Sequence, residues 1–114
     1  MTLITAHSRN IKVGPRKLRL IADAMKKLSV TQALEKLPLL AKSGAEPMLK
    51  ALKSAVANAI NNNKIKIEDL KIANVLIDEG LKMKRRDMSH GATFGGGMIQ
   101  KRTSHIKVIL SDGK

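Results

Sequence analysis

The sequence must build its hydrophobic core without cysteine and almost without aromatic side chains. Its 114 residues contain one phenylalanine, Phe94, and no tryptophan, tyrosine or cysteine. A chain of this length buries somewhat more than ~60% of its unfolded surface, which is enough for one modest core. Aliphatic residues therefore have to fill that core, and disulfide-stabilised or thiolate-metal folds are excluded. We expect one domain over residues 1–114.

Positive charge is concentrated at the two ends of the chain. The 22 Lys and Arg residues outnumber the 9 Asp and Glu residues, giving a formal net charge of +13. Residues 1–30 carry +6, residues 31–81 carry +1 and residues 82–114 carry +6. Such an excess on a small domain attracts polyanions, of which nucleic acid is the commonest in a cytosol. We therefore expect a nucleic-acid partner.

The segment GPRKLRLIADAMKK has the apolar spacing of a helix. Leu18, Ile21 and Met25 recur along one face, and Pro15 suits the first helical position because its missing N–H would be unpaired there anyway. Basic side chains occupy the first turns, where a helix N-terminus also favours phosphate.

Two further helices are indicated downstream. Ser29 with Gln32 forms a capping-box pattern before a short helix, and Ser43 with Glu46 repeats the pattern before a long one. The long helix carries an apolar stripe that reaches Ile60. We expect it to end within Asn61–Asn63, because asparagine tolerates the left-handed conformation.

Three segments have β character. LKIANVLIDEG and MIQKRTSHIKVIL alternate apolar and polar residues around a glycine-rich gap, which indicates a hairpin, and TLITAHSRNIKV is β-prone as well. We expect it to supply a third strand, since an isolated hairpin is marginal in water.

Residues 82–102 form the most informative segment. Its apolar residues are too few and too irregular to cover a core, and four of the eight glycines lie in it. A structureless loop of this length is uncommon and is usually either functional or disordered. A flexible loop is one interpretation of this segment. The other is an extended hairpin arm that becomes ordered inside a polyanionic partner, and it is favoured by the basic residues at both of its ends.

No catalytic or metal-binding pattern is found. His7, His90 and His105 lie in different segments without a second ligand at metal spacing. Asp78 and Glu79 are neighbours on a strand and point to opposite faces, so they do not flank one substrate. GATFGGG lacks the Lys-Ser/Thr ending of a phosphate-binding loop. We expect no enzyme activity, no cofactor and no metal.

One aromatic residue is too few for the stacking used by many single-strand binders. Contacts of Arg and Lys with phosphates are expected instead, on a folded RNA or on DNA bound by an architectural protein. A membrane-surface role is disfavoured, because the apolar helix faces carry no Trp or Phe. The apolar runs are also far shorter than the ~20 residues that span a bilayer, and the first ten residues hold no run typical of a signal peptide.

Four motifs resemble a known family. GPRKLRLIAD (Gly14–Asp23), LKSAVANAINNN (Leu52–Asn63), IDEGLKMKR (Ile77–Arg85) and KRTSHIKVIL (Lys101–Leu110) together are similar to the universal large-subunit ribosomal protein family L-twenty-two. The resemblance extends over essentially the whole chain. It implies an α+β fold, with about three helices packed on a small antiparallel sheet and a long protruding β-hairpin.

The resemblance also implies a function. Members bind large-subunit ribosomal RNA, contribute to subunit assembly and line the polypeptide exit tunnel with the hairpin. The implied partners are large-subunit ribosomal RNA, neighbouring large-subunit ribosomal proteins and, in passing, the nascent polypeptide. The implied state is a monomer bound to a cytoplasmic ribosome, away from membranes.

The resemblance and the charge pattern together yield the candidate RNA-binding residues. They are Arg9, Lys12, Arg16, Lys17, Arg19, Lys82, Lys84, Arg85, Arg86, Lys101, Arg102, Thr103, Ser104 and His105.

The hairpin tip departs from the family pattern. Members usually carry a run resembling RPRARGRA there, whereas this chain has RDMSHGATFGGGMI, without Lys or Arg between Asp87 and Gln100. The residues expected to line the tunnel are Met88, Ser89, His90, Gly91, Ala92, Thr93, Phe94, Gly95, Gly96 and Gly97.

Overall fold

A computed structural model describes residues 2–88 and 97–112. The described chain contains three α-helices and three β-strands. In chain order they are β1 (Leu3–Ile11), α1 (Pro15–Met25), α2 (Val30–Lys36), α3 (Ala45–Asn63), β2 (Lys71–Arg86) and β3 (Met98–Ser111). Short 3₁₀ turns at Leu37–Leu39 and Ile67–Asp69 follow α2 and α3. The α+β class is confirmed.

The three strands form one antiparallel sheet in the order β1-β3-β2. β3 is central, and the predicted third strand pairs with it along Leu3–Ile11. Inward positions alternate with outward ones as expected for a pleated strand. Val108, for example, lies between Ala6 and Val75, and all three side chains are buried.

The core lies between one face of the sheet and the helices. Leu18 and Met25 of α1, Met48 and Leu52 of α3, and Leu110 of β3 are each at most 1% exposed. Aliphatic and methionine side chains thus fill the interior. Burying one side chain of this size contributes roughly 1.5–3 kcal/mol.

The capping box predicted at the start of two helices is confirmed for α2 and wrong for α3. Ser29 and Gln32 form the capping box of α2, because each side chain accepts a hydrogen bond from the other residue's backbone N–H. The same prediction at Ser43 is wrong. Gly44, which has no side chain to form a cap bond, is the N-cap of α3, and its backbone is already helical.

The C-terminus of α3 lies within the expected range Asn61–Asn63, but the residue in the left-handed conformation is not an asparagine. The helix runs through Asn63, and it is Lys64 that adopts the left-handed conformation, with φ 54° and ψ 37°. The predicted apolar stripe ends early, because Ile60 is 44% exposed. The core-facing stripe of α3 therefore ends at Ala59.

β2 and β3 continue beyond the body as a two-stranded ribbon. Pairing extends from Lys82 opposite Arg102 to Arg86 opposite Met98. We define this segment, residues 82–86 and 98–102, as the ribbon. The molecule measures 62 × 24 × 18 Å, and its radius of gyration of 17.4 Å exceeds the roughly 13 Å of a compact chain of this length. The ribbon contributes to this elongation, because its paired strands extend beyond the core.

Candidate nucleic-acid interface

The ribbon carries positive charge on both faces. Directly paired residues of an antiparallel ladder share a face, and successive pairs alternate between faces. Apart from half-buried Ile99, the ribbon side chains are exposed. The pairs on one face are Lys82 with Arg102, Lys84 with Gln100 and Arg86 with Met98, and those on the other are Met83 with Lys101 and Arg85 with Ile99.

The first turn of α1 meets the base of the ribbon. Arg16 and Lys17 line a depression of about 350 Å³ together with Lys82 and Arg102. Glu79 also lines it, with its Oε2 4.0 Å from Lys82 Nζ. The tertiary fold thus joins the two basic ends of the sequence into one surface with an excess of positive charge. We call this depression the helix-ribbon groove.

Arg19 lies on the same helix, but its side chain forms a hydrogen bond within the protein. Its Nη2 donates a hydrogen bond of 3.2 Å to the backbone carbonyl of Ile77. β2 is an edge strand, and such a strand leaves part of its backbone polar groups without a partner from the sheet. The contact holds α1 against the strand that leads into the ribbon.

Thr103 and Ser104 are buried and have protein partners. Thr103 Oγ1 donates to the carbonyl of Leu81 at 2.7 Å, and Ser104 Oγ donates to the carbonyl of Val13 at 2.6 Å. The two residues are 5% and 0% exposed. Both hydroxyls therefore fix the base of the ribbon, and Ser104 ties it to the segment preceding α1. Direct RNA contact by these hydroxyls remains a prediction.

Gly80 allows the strands to approach closely at this point. A Cβ atom there would lie 2.5 Å from Thr103 Oγ1 and 3.2 Å from the Thr103 carbonyl carbon. The register shifts between Glu79 and Lys82, which marks a β-bulge. Bulges increase twist and re-aim a strand, so this one sets the direction of the ribbon.

Arg9, Lys12 and His105 lie apart from the helix-ribbon groove. Arg9 and His105 line a depression on the sheet face opposite the helices, and Lys12 is exposed after β1. The backbone N–H of Asn10, which has a φ of 58°, donates a 3.2 Å hydrogen bond to His105 Nδ1. This bond stabilises the bulge at the end of β1.

Sequence reasoning missed two residues on this opposite face. His7 and Lys107 are cross-strand partners and line the same depression as Arg9. The signal was present in the alternation of Lys101, His105 and Lys107 along one strand. It was obscured because the register of β1 against β3 is a tertiary property.

Most of the expected tunnel-lining tip, residues 89–96, lies outside the described residues. Met88 and Gly97, at its two ends, are exposed next to the last ribbon pair. The backbone N–H of Asp87 donates a hydrogen bond of 3.0 Å to the Gly97 carbonyl, so pairing continues one step beyond the strands.

Metal-binding clusters and membrane-spanning helices are both absent from the described part of the chain. Within residues 2–88 and 97–112, no group of three or more His, Asp or Glu side chains is placed to hold a metal ion. None of the helices in those ranges is long and apolar enough to cross a membrane.

A small α+β body with a protruding ribbon that is basic on both faces is typical of nucleic-acid-binding proteins that extend into their target. Comparison with known proteins identifies the family. The family model described as ribosomal protein L22p/L17e matches residues 6–111.

Curated relatives agree with this match. The chain is 43% identical over 105 residues to the large ribosomal subunit protein uL22 of Mycoplasma capricolum, covering 91% of this chain and 92% of that protein. It is 42% identical over 108 residues to the protein of the same name from Mesoplasma florum, covering 94% of each. The protein of that name from Onion yellows phytoplasma is 42% identical over 106 residues, which cover 93% of this chain and 81% of the relative.

The chain belongs to the ribosomal protein L22p/L17e family. As a member it is a structural ribosomal protein and not an enzyme.

Proposed function

We propose that this protein binds large-subunit ribosomal RNA through the ribbon and the helix-ribbon groove. The observation that carries the proposal is the presence of cations on both ribbon faces, such as Lys84 on one and Arg85 on the other. A surface that only kept the protein soluble would not need to extend away from the core. Cations on two faces suit a ribbon inserted between RNA segments, where each face meets phosphates.

The expected mode of binding is contact with the RNA backbone. Arg and Lys contacts to phosphate position a protein without reading sequence. In the helix-ribbon groove, Arg16 and Lys17 add side-chain charge to the free N–H groups of the first turn of α1. Bonds from Arg19 and Ser104 hold the groove in shape before RNA arrives, which reduces the entropic cost of binding.

The proposal includes finer roles. Relatives at 42–43% identity are named large ribosomal subunit proteins, which supports a location in the large subunit. We propose that the chain is a monomer there, in a cytoplasmic ribosome. There it contacts neighbouring ribosomal proteins as well as RNA. A protein that holds separate RNA segments on two ribbon faces also supports assembly of the subunit.

The ribbon additionally delivers the tip to the exit tunnel. Residues 88–97 then help to line the tunnel wall, past which the nascent polypeptide moves. The length of the molecule, 62 Å, supports this role, because a compact body of the same mass would not reach inward from the subunit surface.

Replacing Lys84, Arg85 and Arg86 together by Gln tests RNA binding by the ribbon. We expect affinity for a large-subunit RNA fragment to fall at least about tenfold. The slope of log K against log salt should decrease by about 2–3, because each lost phosphate contact removes ~0.7–0.9. The melting temperature should change little, since the three side chains are exposed.

The matched control replaces Lys27, Lys36 and Lys53 by Gln, which removes the same charge from exposed helix or loop positions. Equal losses in the two triple variants would contradict the proposal. Competition with generic duplex DNA distinguishes the architectural DNA-binding alternative, for which DNA should displace the RNA at equal concentration.

A further inference from the structure

The sheet face opposite the helices carries a row of Arg, Lys and His side chains that continues from the ribbon. Alternate residues of β3 share this face, and residues of β1 and β2 flank them on either side. We define the row as the open-face track, and its members are His7, Arg9, Arg85, Lys101, His105 and Lys107.

The track connects the ribbon with the body. Lys101 lies on the ribbon face that holds Arg85, whereas Lys107 lies in the middle of the sheet opposite His7. At about 3.3 Å per residue, the two lysines are roughly 20 Å apart along the strand. A nucleic-acid strand that contacts the ribbon therefore meets further cations if it continues across the body.

The body end of the track is a shallow depression of about 510 Å³. His7, Arg9, His105 and Lys107 line it, and Asp78 is the one acidic residue among its lining residues. Among the described residues, neither Arg9 nor Lys107 forms a salt bridge with an acidic side chain. Arg9 and Lys107 are therefore cations without an ion-pair partner in the described part of the chain, and Asp78 offsets part of their charge in the depression.

We infer that the open-face track is a second contact surface for the RNA sugar-phosphate backbone, separate from the helix-ribbon groove. This inference rests on the proposed RNA-binding function and names His7 and Lys107 as contact residues. A protein partner is less well matched. Interface centres are depleted of charge, and the apolar side chain lining this depression that is exposed, Leu76, is only 38% exposed.

The double variant Arg9→Gln, Lys107→Gln tests the track. The probe is a large-subunit ribosomal RNA fragment that binds the unmodified protein. We expect affinity to fall roughly tenfold and the salt slope to decrease by about 1–2. Lys107→Arg should retain binding, since it keeps the charge. The matched control, Lys36→Gln with Lys53→Gln, removes equal charge from exposed helix positions and should change affinity less than about twofold.

Asp78→Asn is a variant for which the inference predicts stronger, not weaker, RNA binding. Its carboxylate lies on the track face, paired across the strands with His105, and repels a phosphate there. Removing this charge should strengthen RNA binding by about twofold to threefold and steepen the salt dependence. A partner that uses Asp78 to bind Arg or Lys would be weakened instead, which would overturn the inference.

The outcomes separate this inference from the proposed function. If the ribbon triple variant loses RNA affinity while the Arg9/Lys107 variant matches its control, the inference about the open-face track is wrong. The proposal that the ribbon binds RNA then still stands. If neither variant departs from its control, both proposals fail. Far-ultraviolet circular dichroism and melting of each variant verify that the body is folded, because Arg9 is exposed and Lys107 half-buried.

Discussion

Single residues at the base of the ribbon determine how its cations are presented. Thr103, Ser104 and Gly80 lie where the ribbon leaves the body, and each has a local structural reason. The two hydroxyls donate to backbone carbonyls, and the glycine leaves room for the neighbouring strand. Side chains adjacent to the basic residues in sequence thus act by fixing the backbone that carries those residues.

Ser104→Ala separates a positioning role from direct RNA contact. The variant leaves the Val13 carbonyl without its 2.6 Å partner in a buried site, which costs about 1–3 kcal/mol of unfolding free energy. Chemical denaturation measures this loss. At a temperature where the variant is fully folded, RNA affinity should fall less than about threefold. A tenfold loss of affinity with unchanged stability would show that the hydroxyl contacts RNA. Ser54→Ala, on the exposed side of α3, is the control.

For the helices, the backbone conformation before the first turn determines which residue is the N-cap. Ser29 and Ser43 stand in the same sequence pattern, yet only Ser29 caps a helix. Ser29 is extended, with ψ 163°, so its hydroxyl reaches the N–H of Gln32. Before α3 the chain turns through Gly44, against which Leu18 and Ile21 pack closely. Packing of the preceding turn on α1 therefore overrides the local signature.

This pair of serines allows a matched comparison. Ser29→Ala should lower the free energy of unfolding by about 1 kcal/mol, because it removes the capping-box acceptor. Ser43→Ala should change it by less than about 0.3 kcal/mol, since Ser43 gives α3 no cap bond. Urea titration followed by circular dichroism measures both. Equal destabilisation by the two variants would contradict the assigned N-caps.

Across the whole molecule, the stabilising core and the proposed RNA-binding surface occupy different parts. The buried residues lie in the helices and in the body portions of the strands, whereas the ribbon contributes exposed side chains and half-buried Ile99. Elongation adds surface without adding core. The ribbon is therefore expected to contribute to binding but little to the stability of the free protein.

Deleting the outer part of the ribbon together with the tip should leave a folded body. Because Met83 and Lys101 are paired, residues 84–100 can be replaced by an Asn-Gly turn that closes a hairpin. We expect the melting temperature to change by less than about 5 °C, which corresponds to about 1 kcal/mol, and RNA affinity to fall more than in the triple variant. Loss of cooperative unfolding in calorimetry would instead show that the ribbon is part of the folding unit.

Composition and local spacing account for several features of this protein. An aliphatic core, the α1 face of Leu18 and Met25, and the alternation of β3 follow from spacing alone, because these periods are local. The basic character of residues 82–102 is likewise visible without a fold.

Which cations come together depends instead on how the elements pack. Arg16 and Arg102 lie near opposite ends of the chain, and nothing in their sequence neighbourhoods indicates that α1 approaches the base of the ribbon. The helix-ribbon groove forms where the apolar face of α1 packs on the sheet, and two hydrogen bonds join elements there that are distant in the sequence. Arg19 bonds to the carbonyl of Ile77, and Ser104 bonds to the carbonyl of Val13.

The same holds for the open-face track. His7 and Lys107 lie in the first and last strands and become neighbours only through the register of β1 against β3. Strand register is set by burying one face of the whole sheet against the helices, so it is fixed by packing and not by the local pattern. The sequence therefore determined how much positive charge the protein carries, and the tertiary structure determined the two surfaces on which that charge is gathered.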